Sequence, residues 1–183
     1  MDREQAARAI EAFLRALDQD PERDPSLAGT GMRVAAAFAD DLLSGYRVDV
    51  DAIVTQNVFP GRSELVVVRD LSVTTICPHH LLPSTGLATV AFAPDERLVG
   101  VGAVGRVVDA FSRRLALQEE IGEHVVATLE KHLEPRWIGC RLLLTHSCMT
   151  ARGERTHGAR VETVALRGKV DEGAATLALG VGR

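Results

Sequence analysis

ELVVVRDLSVTTICPHHLLPSTGLATVAFA, residues 64–93, decides the architecture. From Glu64 to Ile76 β-branched residues dominate, so this half reads as a strand, with an irregularity at Arg69-Asp70 where two polar residues interrupt the run. Residues 85–93 (TGLATVAFA) form a second strand, closed by Pro94-Asp95. Between them lies CPHHLLP. Its Cys-x-x-His places a thiolate and an imidazole on one tight turn, close enough to share a metal ion. Pro78 stiffens that turn, and zinc accepts mixed sulfur and nitrogen ligands. Taken alone, the same letters also describe a buried cysteine beside two polar loop residues.

Outward from this hairpin the pattern changes period. Residues 103–133 repeat Val104, Val107, Val108, Phe111, Leu115, Ile121, Val125 and Leu129 every three or four positions, which predicts a helical region broken near Arg113–Leu117. WIGCRLLLTHSCM, from Trp137, alternates as a strand, with Ile138, Cys140, Leu142, Leu144, His146 and Cys148 on one parity. RVETVALRGKV, from Arg160 to Val170, reads as its antiparallel partner. Toward the amino end, residues 3–18 carry Ala7, Ile10, Phe13, Leu14 and Leu17 at helical spacing, Asp-Pro pairs break the pattern, and a second helix runs from Thr30 toward Gly45 as its stop. Residues 48–62 show weak periodicity, with a turn at Pro60-Gly61. The Gly- and Ala-rich end predicts a ragged tail. The expected class is α+β with antiparallel pairing, divided into a helical arm (1–45), a main domain (46–172) and a tail (173–183).

Composition bounds the chemistry. With 183 residues, 46% apolar and 25% charged, the chain has ordinary globular composition. Lys+Arg 21 against Asp+Glu 25 gives −4, a balance without the footprint of a general nucleic-acid binder. No apolar run reaches the roughly 18–20 residues of a membrane span, and MDREQ does not open a signal peptide, so the expectation is a cytoplasmic protein that contacts neither membrane nor nucleic acid. Lys131 and Lys169 are the two lysines; arginine, the better bidentate partner for phosphate, carries nearly all the positive charge. Three cysteines in such a chain favour metal binding or burial over a disulfide framework. Cys140, among Ile138 and Leu142, suits burial. Cys77, His80 and Cys148 then make a Cys₂His set of the kind that holds catalytic zinc, leaving His79 and His146 as acid and base.

At this point the sequence resembles the GTP cyclohydrolase I family. CPHHLLP matches the family's Cys-x-His-His loop, HSCMTARG its later His-x-Cys-x-x-x-Arg-Gly segment, and FSRRLALQEEI the helix with its Gln-Glu pair. Looser similarity extends from TGMRVAAAF at Thr30 to the strand at Arg160. The resemblance implies the tunnelling fold: a four-stranded antiparallel sheet with helices packed on one face, assembled as a toroidal homodecamer with sites between subunits. It implies Zn²⁺ on Cys77, His80 and Cys148, and proton transfer by His79 and His146, in roles that could be exchanged. Gln118 and Glu119 would meet the guanine edge, where a carboxylate suits the paired N–H donors. Arg33, Arg106 and Arg152 would face the polyphosphate. The implied reaction opens the imidazole ring of GTP at C8, releases formate and recloses to dihydroneopterin triphosphate.

The chain departs from the family pattern at the phosphate end. Leu-Ser-Lys becomes Val101-Gly102-Ala103, removing a ribose-side serine and a lysine; Ala36 replaces a second lysine. Hydrogen bonds to charged groups contribute about 1.5–3 kcal/mol each, so two losses amount to about 3–6 kcal/mol, or roughly two to four decades in affinity. Arg113, Arg114, Arg155 and Arg160 are the candidates to compensate. The alternatives are therefore a paralogue acting on a guanine nucleotide or nucleoside with fewer phosphates, or stopping before the pterin closes, and a non-catalytic purine- or pterin-binding protein of the same fold. His124, His132 and His157 have no partner legible in the sequence.

Overall fold

The β-branched runs on either side of Cys77 and His80 become the two longest strands of the chain. A computed structural model describes residues 1–153, 155–169 and 172–182; Val170, at the end of the expected last strand, lies outside the described residues. The chain divides into two units, Met1–Ser44 and Gly45–Arg183.

In the first unit, α1 (Arg3–Ala16) starts where the Asp2 carboxylate accepts from Gln5 N, and packs on α2 (Thr30–Ala36). The second helix does not run evenly to Gly45. It passes into wider π-type turns over Ala37–Leu42, where Leu43 N reaches back to Phe38 O and Arg3 pairs with Asp40.

The second unit opens with α3 (Val50–Thr55), capped by the Asp49 side chain, and β1 (Val58–Pro60). The hairpin follows as β2 (Val66–Ile76) and β3 (Pro83–Ala93), then β4 (Arg97–Val99), which pairs with β1. The helical repeat forms α4 (Val101–Ser112) and α5 (Gln118–Leu133), broken at the expected place. Then come β5 (Trp137–His146), the single turn α6 (Ser147–Thr150), β6 (Val161–Gly168) and α7 (Glu172–Leu179). The main sheet has the order β2-β3-β5-β6, antiparallel throughout.

One face of the sheet carries Ala88, Val90, Phe92, Ile138, Cys140, Leu142 and Leu144. It is covered by Val104, Val107, Val108, Ile121, Val125 and Leu129 of α4 and α5, all of them buried. The expected irregularity is a β-bulge between Val68 and Leu71, with Asp70 in the left-handed region at φ 55°. Before it, the even-numbered Val66 and Val68 pack on the core; after it, Leu71 and Val73 do, while Val67 packs on the opposite face.

Several short elements escaped the sequence pattern. Residues 48–62 contain α3 and β1 where only weak periodicity stood. Gly45 is not a helix stop: a Cβ there would lie 2.0 Å from Ala110 O, so only glycine allows this approach to α4. The expected ragged tail contains α7, whose Ala178 and Leu179 pack with Ala91 on the sheet face away from α4 and α5.

Candidate active site

Cys77 follows the last residue of β2 and stays buried. Its N–H donates to Leu82 O (3.0 Å), and Leu81 N–H donates to Cys77 O (2.9 Å), so Pro78–Leu81 form a closed turn with His79 and His80 exposed at its tip. Leu81 takes the left-handed conformation (φ 54°) to close it. The two imidazoles meet edge-on with centroids 6.3 Å apart. The preceding residues are anchored from the side: Thr75 Oγ1 donates to Arg114 O (3.2 Å) and Ala116 N donates to Ile76 O (3.3 Å). Arg114 is itself fixed. Its guanidinium lies over the Phe111 and Tyr46 rings (4.8 and 5.6 Å) and donates to Ala110 O and Gly45 O (3.0 Å each). The link between α4 and α5 therefore holds the base of the turn and delivers Gln118 and Glu119 beside it.

The second segment arrives from β5. His146 ends the strand on its core-facing parity, but Cys148 does not continue it: the chain turns into α6, and Cys148 reaches the turn from that helical turn. The expectation that strand alternation alone aligns His146 with Cys148 is thereby corrected. The result still gathers the expected ligands. One donor atom each from Cys77, His80 and Cys148 lie within 4.8 Å of one another, with Cys77 Sγ 3.9 Å from His80 Nδ1. Zinc–sulfur bonds near 2.3 Å and zinc–nitrogen bonds near 2.0 Å need donor separations a little shorter than these. Small side-chain adjustments suffice, so the donor set fits a tetrahedral Cys₂His ion with one position open. Burial and the neighbouring Cys77 push the Cys148 thiol up from its ordinary pKa, and a cation between the sulfurs reverses that preference. On the outer side, Arg152 Nη1 donates to His80 Nε2 (3.1 Å).

His146 is held by both ring nitrogens: Nδ1 is 3.0 Å from Ser84 Oγ and Nε2 is 2.7 Å from Gln118 Oε1. Burial pushes its pKa down, opposed by the charge of Glu119. Gln118 is 2% exposed; its Nε2 lies 3.0–3.1 Å from Leu142 O, Val161 O and Thr163 Oγ1, and its Oε1 lies 2.7 Å from His146 Nε2, so within this chain its side-chain amide is taken up by these four partners. Glu119, next along α5, is exposed. Ser84 was missed by the sequence reading. The available signal was its parity with Ala88, Val90 and Phe92, which makes it a hydroxyl on a core-facing row.

The three expected phosphate arginines stand apart in their surroundings. Arg152 meets His80. Arg106 is exposed on α4. Arg33 belongs to the first unit, where it donates to Ala28 O and Thr30 Oγ1 (2.8 Å each). Of the unplaced histidines, His132 pairs with Asp51 (2.5 Å), His124 lies against Phe111 (5.3 Å), and His157 is exposed. At the altered positions, a Cβ on Gly102 would meet nothing within 4 Å, whereas Ala103 is 1% exposed within the core.

Residues 6–179 match the sequence model of GTP cyclohydrolase I. The chain belongs to the GTP cyclohydrolase I family. Proteins named GTP cyclohydrolase 1 from Bartonella henselae and Leifsonia xyli are 38% and 37% identical to it, over 92% and 95% of this chain and 82% and 91% of theirs. The one from Leptospira biflexa is 34% identical over 87% of this chain and 86% of its own. It is therefore an enzyme of this family. Its sheet-and-helix arrangement is the tunnelling fold, seen also in the apo crystal structure of the archaeosine synthase QueF-Like, with a TM-score of 0.50, 18% identity, and coverage of 61% of this chain and 100% of that one. Among the described residues no helix is long and apolar enough to cross a membrane.

Proposed function

We propose that this chain is a zinc-dependent hydrolase that opens the imidazole ring of a guanine nucleotide at C8 and releases formate, with GTP giving dihydroneopterin triphosphate. The convergence of Cys77, His80 and Cys148, with His146 two residues before Cys148 in the chain, carries this reading. Cys77, His80 and Cys148 hold the ion, which when bound acts as a Lewis acid and brings the pKa of a coordinated water to about 7. Glu119 receives the N–H donors of the guanine edge, and Gln118 serves the site through His146. His79, exposed at the tip of the turn, and His146, held from two sides, exchange protons with the ring nitrogen and the leaving formyl group. Arg33, Arg106 and Arg152 receive the phosphates across a homo-oligomeric interface, in a decamer like that of the family, in the cytoplasm. A non-catalytic purine binder has no use for two acid–base imidazoles beside a metal set.

The phosphate end supports a second reading. Ala103 sits in the core and Ala36 offers no cation, so a substrate with fewer phosphates, or a reaction ending before pterin closure, fits the missing lysines and the missing serine. Mass spectrometry of products from GTP, GDP, GMP and guanosine in parallel, with a chelated control, tests both. Formate and a pterin triphosphate from GTP alone establish the first reading; turnover of guanosine or GMP establishes the second. Consumption of no guanine compound by the zinc-loaded protein overturns both.

A further inference from the structure

The Gln118 amide cannot be reversed. Its nitrogen donates to the backbone carbonyls Leu142 O and Val161 O at 3.1 and 3.0 Å, which cannot donate in return, so exchanging oxygen for nitrogen would set oxygen against oxygen at both. Oε1 must therefore be the atom 2.7 Å from His146 Nε2, and that nitrogen must carry hydrogen. A neutral ring then keeps its lone pair on Nδ1, 3.0 Å from the Ser84 hydroxyl. Ser84 pairs with His146 across β3 and β5 and is 1% exposed. On the rest of that core-facing row stand Ala88, Val90 and Phe92, and a hydroxyl buried among them is costly unless bonded. Its hydrogen bond to His146 is the one it makes among the described residues.

We propose that Ser84 is a positioning residue of the reaction: with Gln118 it locks His146 in the Nε2–H tautomer and fixes the plane of the ring, donating its own O–H to Nδ1. Ser84, His146 and Gln118 form a chain reaching from the start of β3 to the first turn of α5, and each hydrogen bond sets the direction of the next. The role rests on His146 serving the proposed hydrolysis, but the tautomer is readable without turnover.

The test compares wild type, Ser84→Ala and Ser84→Thr, each zinc-loaded and labelled with 15N-histidine for solid-state NMR, with steady-state kinetics on GTP alongside. The wild type should show His146 with Nε2 protonated and Nδ1 bare and hydrogen-bonded. Ser84→Ala should shift the Nδ1 resonance, keep its zinc, and lower kcat by about 10- to 100-fold with KM unchanged, the size expected when a reacting group is slightly misplaced. Ser84→Thr, which keeps the hydroxyl, should restore both signature and kcat. An unaltered Nδ1 resonance in Ser84→Ala, or a loss confined to KM or to zinc content, overturns the proposal. If the wild type turns over no guanine compound, the proposed function fails, while the Ser84-dependent resonance still decides the tautomer lock.

Discussion

Cys148 owes its place to a single helical turn, and Cys77 to a backbone turn closed by two hydrogen bonds, so neither thiol depends on the other for position. Cys148→Ala should therefore fold and yet bind little zinc, with activity at background; metal analysis beside circular dichroism checks it. Cys140 is a different kind of cysteine: wholly buried, with its pKa pushed up to about 12 by desolvation. In the folded, chelated protein an alkylating reagent should modify the half-buried Cys148 first and leave Cys140 untouched until denaturant is added, as peptide mass mapping will show. Asp70 occupies the left-handed region at the bulge. Asp70→Val should destabilise by about 1–2 kcal/mol in urea unfolding, because a β-branched side chain meets the backbone there.

Among the elements, the tight approach at Gly45 ties the start of the second unit to the end of α4, where Arg114 takes Gly45 O. Gly45→Ala forces the two backbones apart and should cost about 1–3 kcal/mol, as overpacking does; a lower urea midpoint with unchanged slope is the expected readout. The long elements were legible in the sequence because each carried its own signal: β-branched content along β2, the Pro94-Asp95 stop after β3, alternation along β5, and three-to-four spacing along α4 and α5. The break before Gln118 was legible for the same reason. The helix α3 and the pair β1–β4 were not, since six residues, or three, are too few to show a period, and partners distant in sequence hold them. The grouping of Cys77, His80 and Cys148 was legible as motif letters, but the route of Cys148 was not: LLLTHSCM keeps alternating on paper while the backbone has already turned. The hydrogen bond from His146 to Gln118 was not legible, because a row of letters cannot show which way an amide faces.

At the scale of the whole molecule, the sheet carries a second, smaller layer away from the core. There Arg141 Nε bonds Glu162 Oε1 at 2.5 Å, and the same oxygen receives Gly182 N–H at 3.4 Å. The Arg141 guanidinium holds the Glu162 carboxyl below its ordinary pKa, against the smaller effect of burial. A carboxylate with a depressed folded pKa contributes stability that is fully present above its unfolded value and lost as pH falls through the folded one. The stability gap between wild type and Glu162→Gln should thus be widest near neutrality and close on acidification below the usual glutamate range, measured by urea melts across pH.

The bulge on β2 has a larger consequence than its size. Two residues there stand opposite one, so the strand changes step, and everything downstream, up to the sulfur at its end, presents the side it does because of that single surplus position. Replacing a residue between Leu71 and Ile76 alters packing; deleting one reverses the strand's handed rhythm and aims the thiol of Cys77 away from His80 and Cys148. Along this stretch, chain length is a stricter inheritance than side-chain identity, and a descendant that loses one residue must lose or gain another before the cysteine to keep Cys77 facing His80 and Cys148.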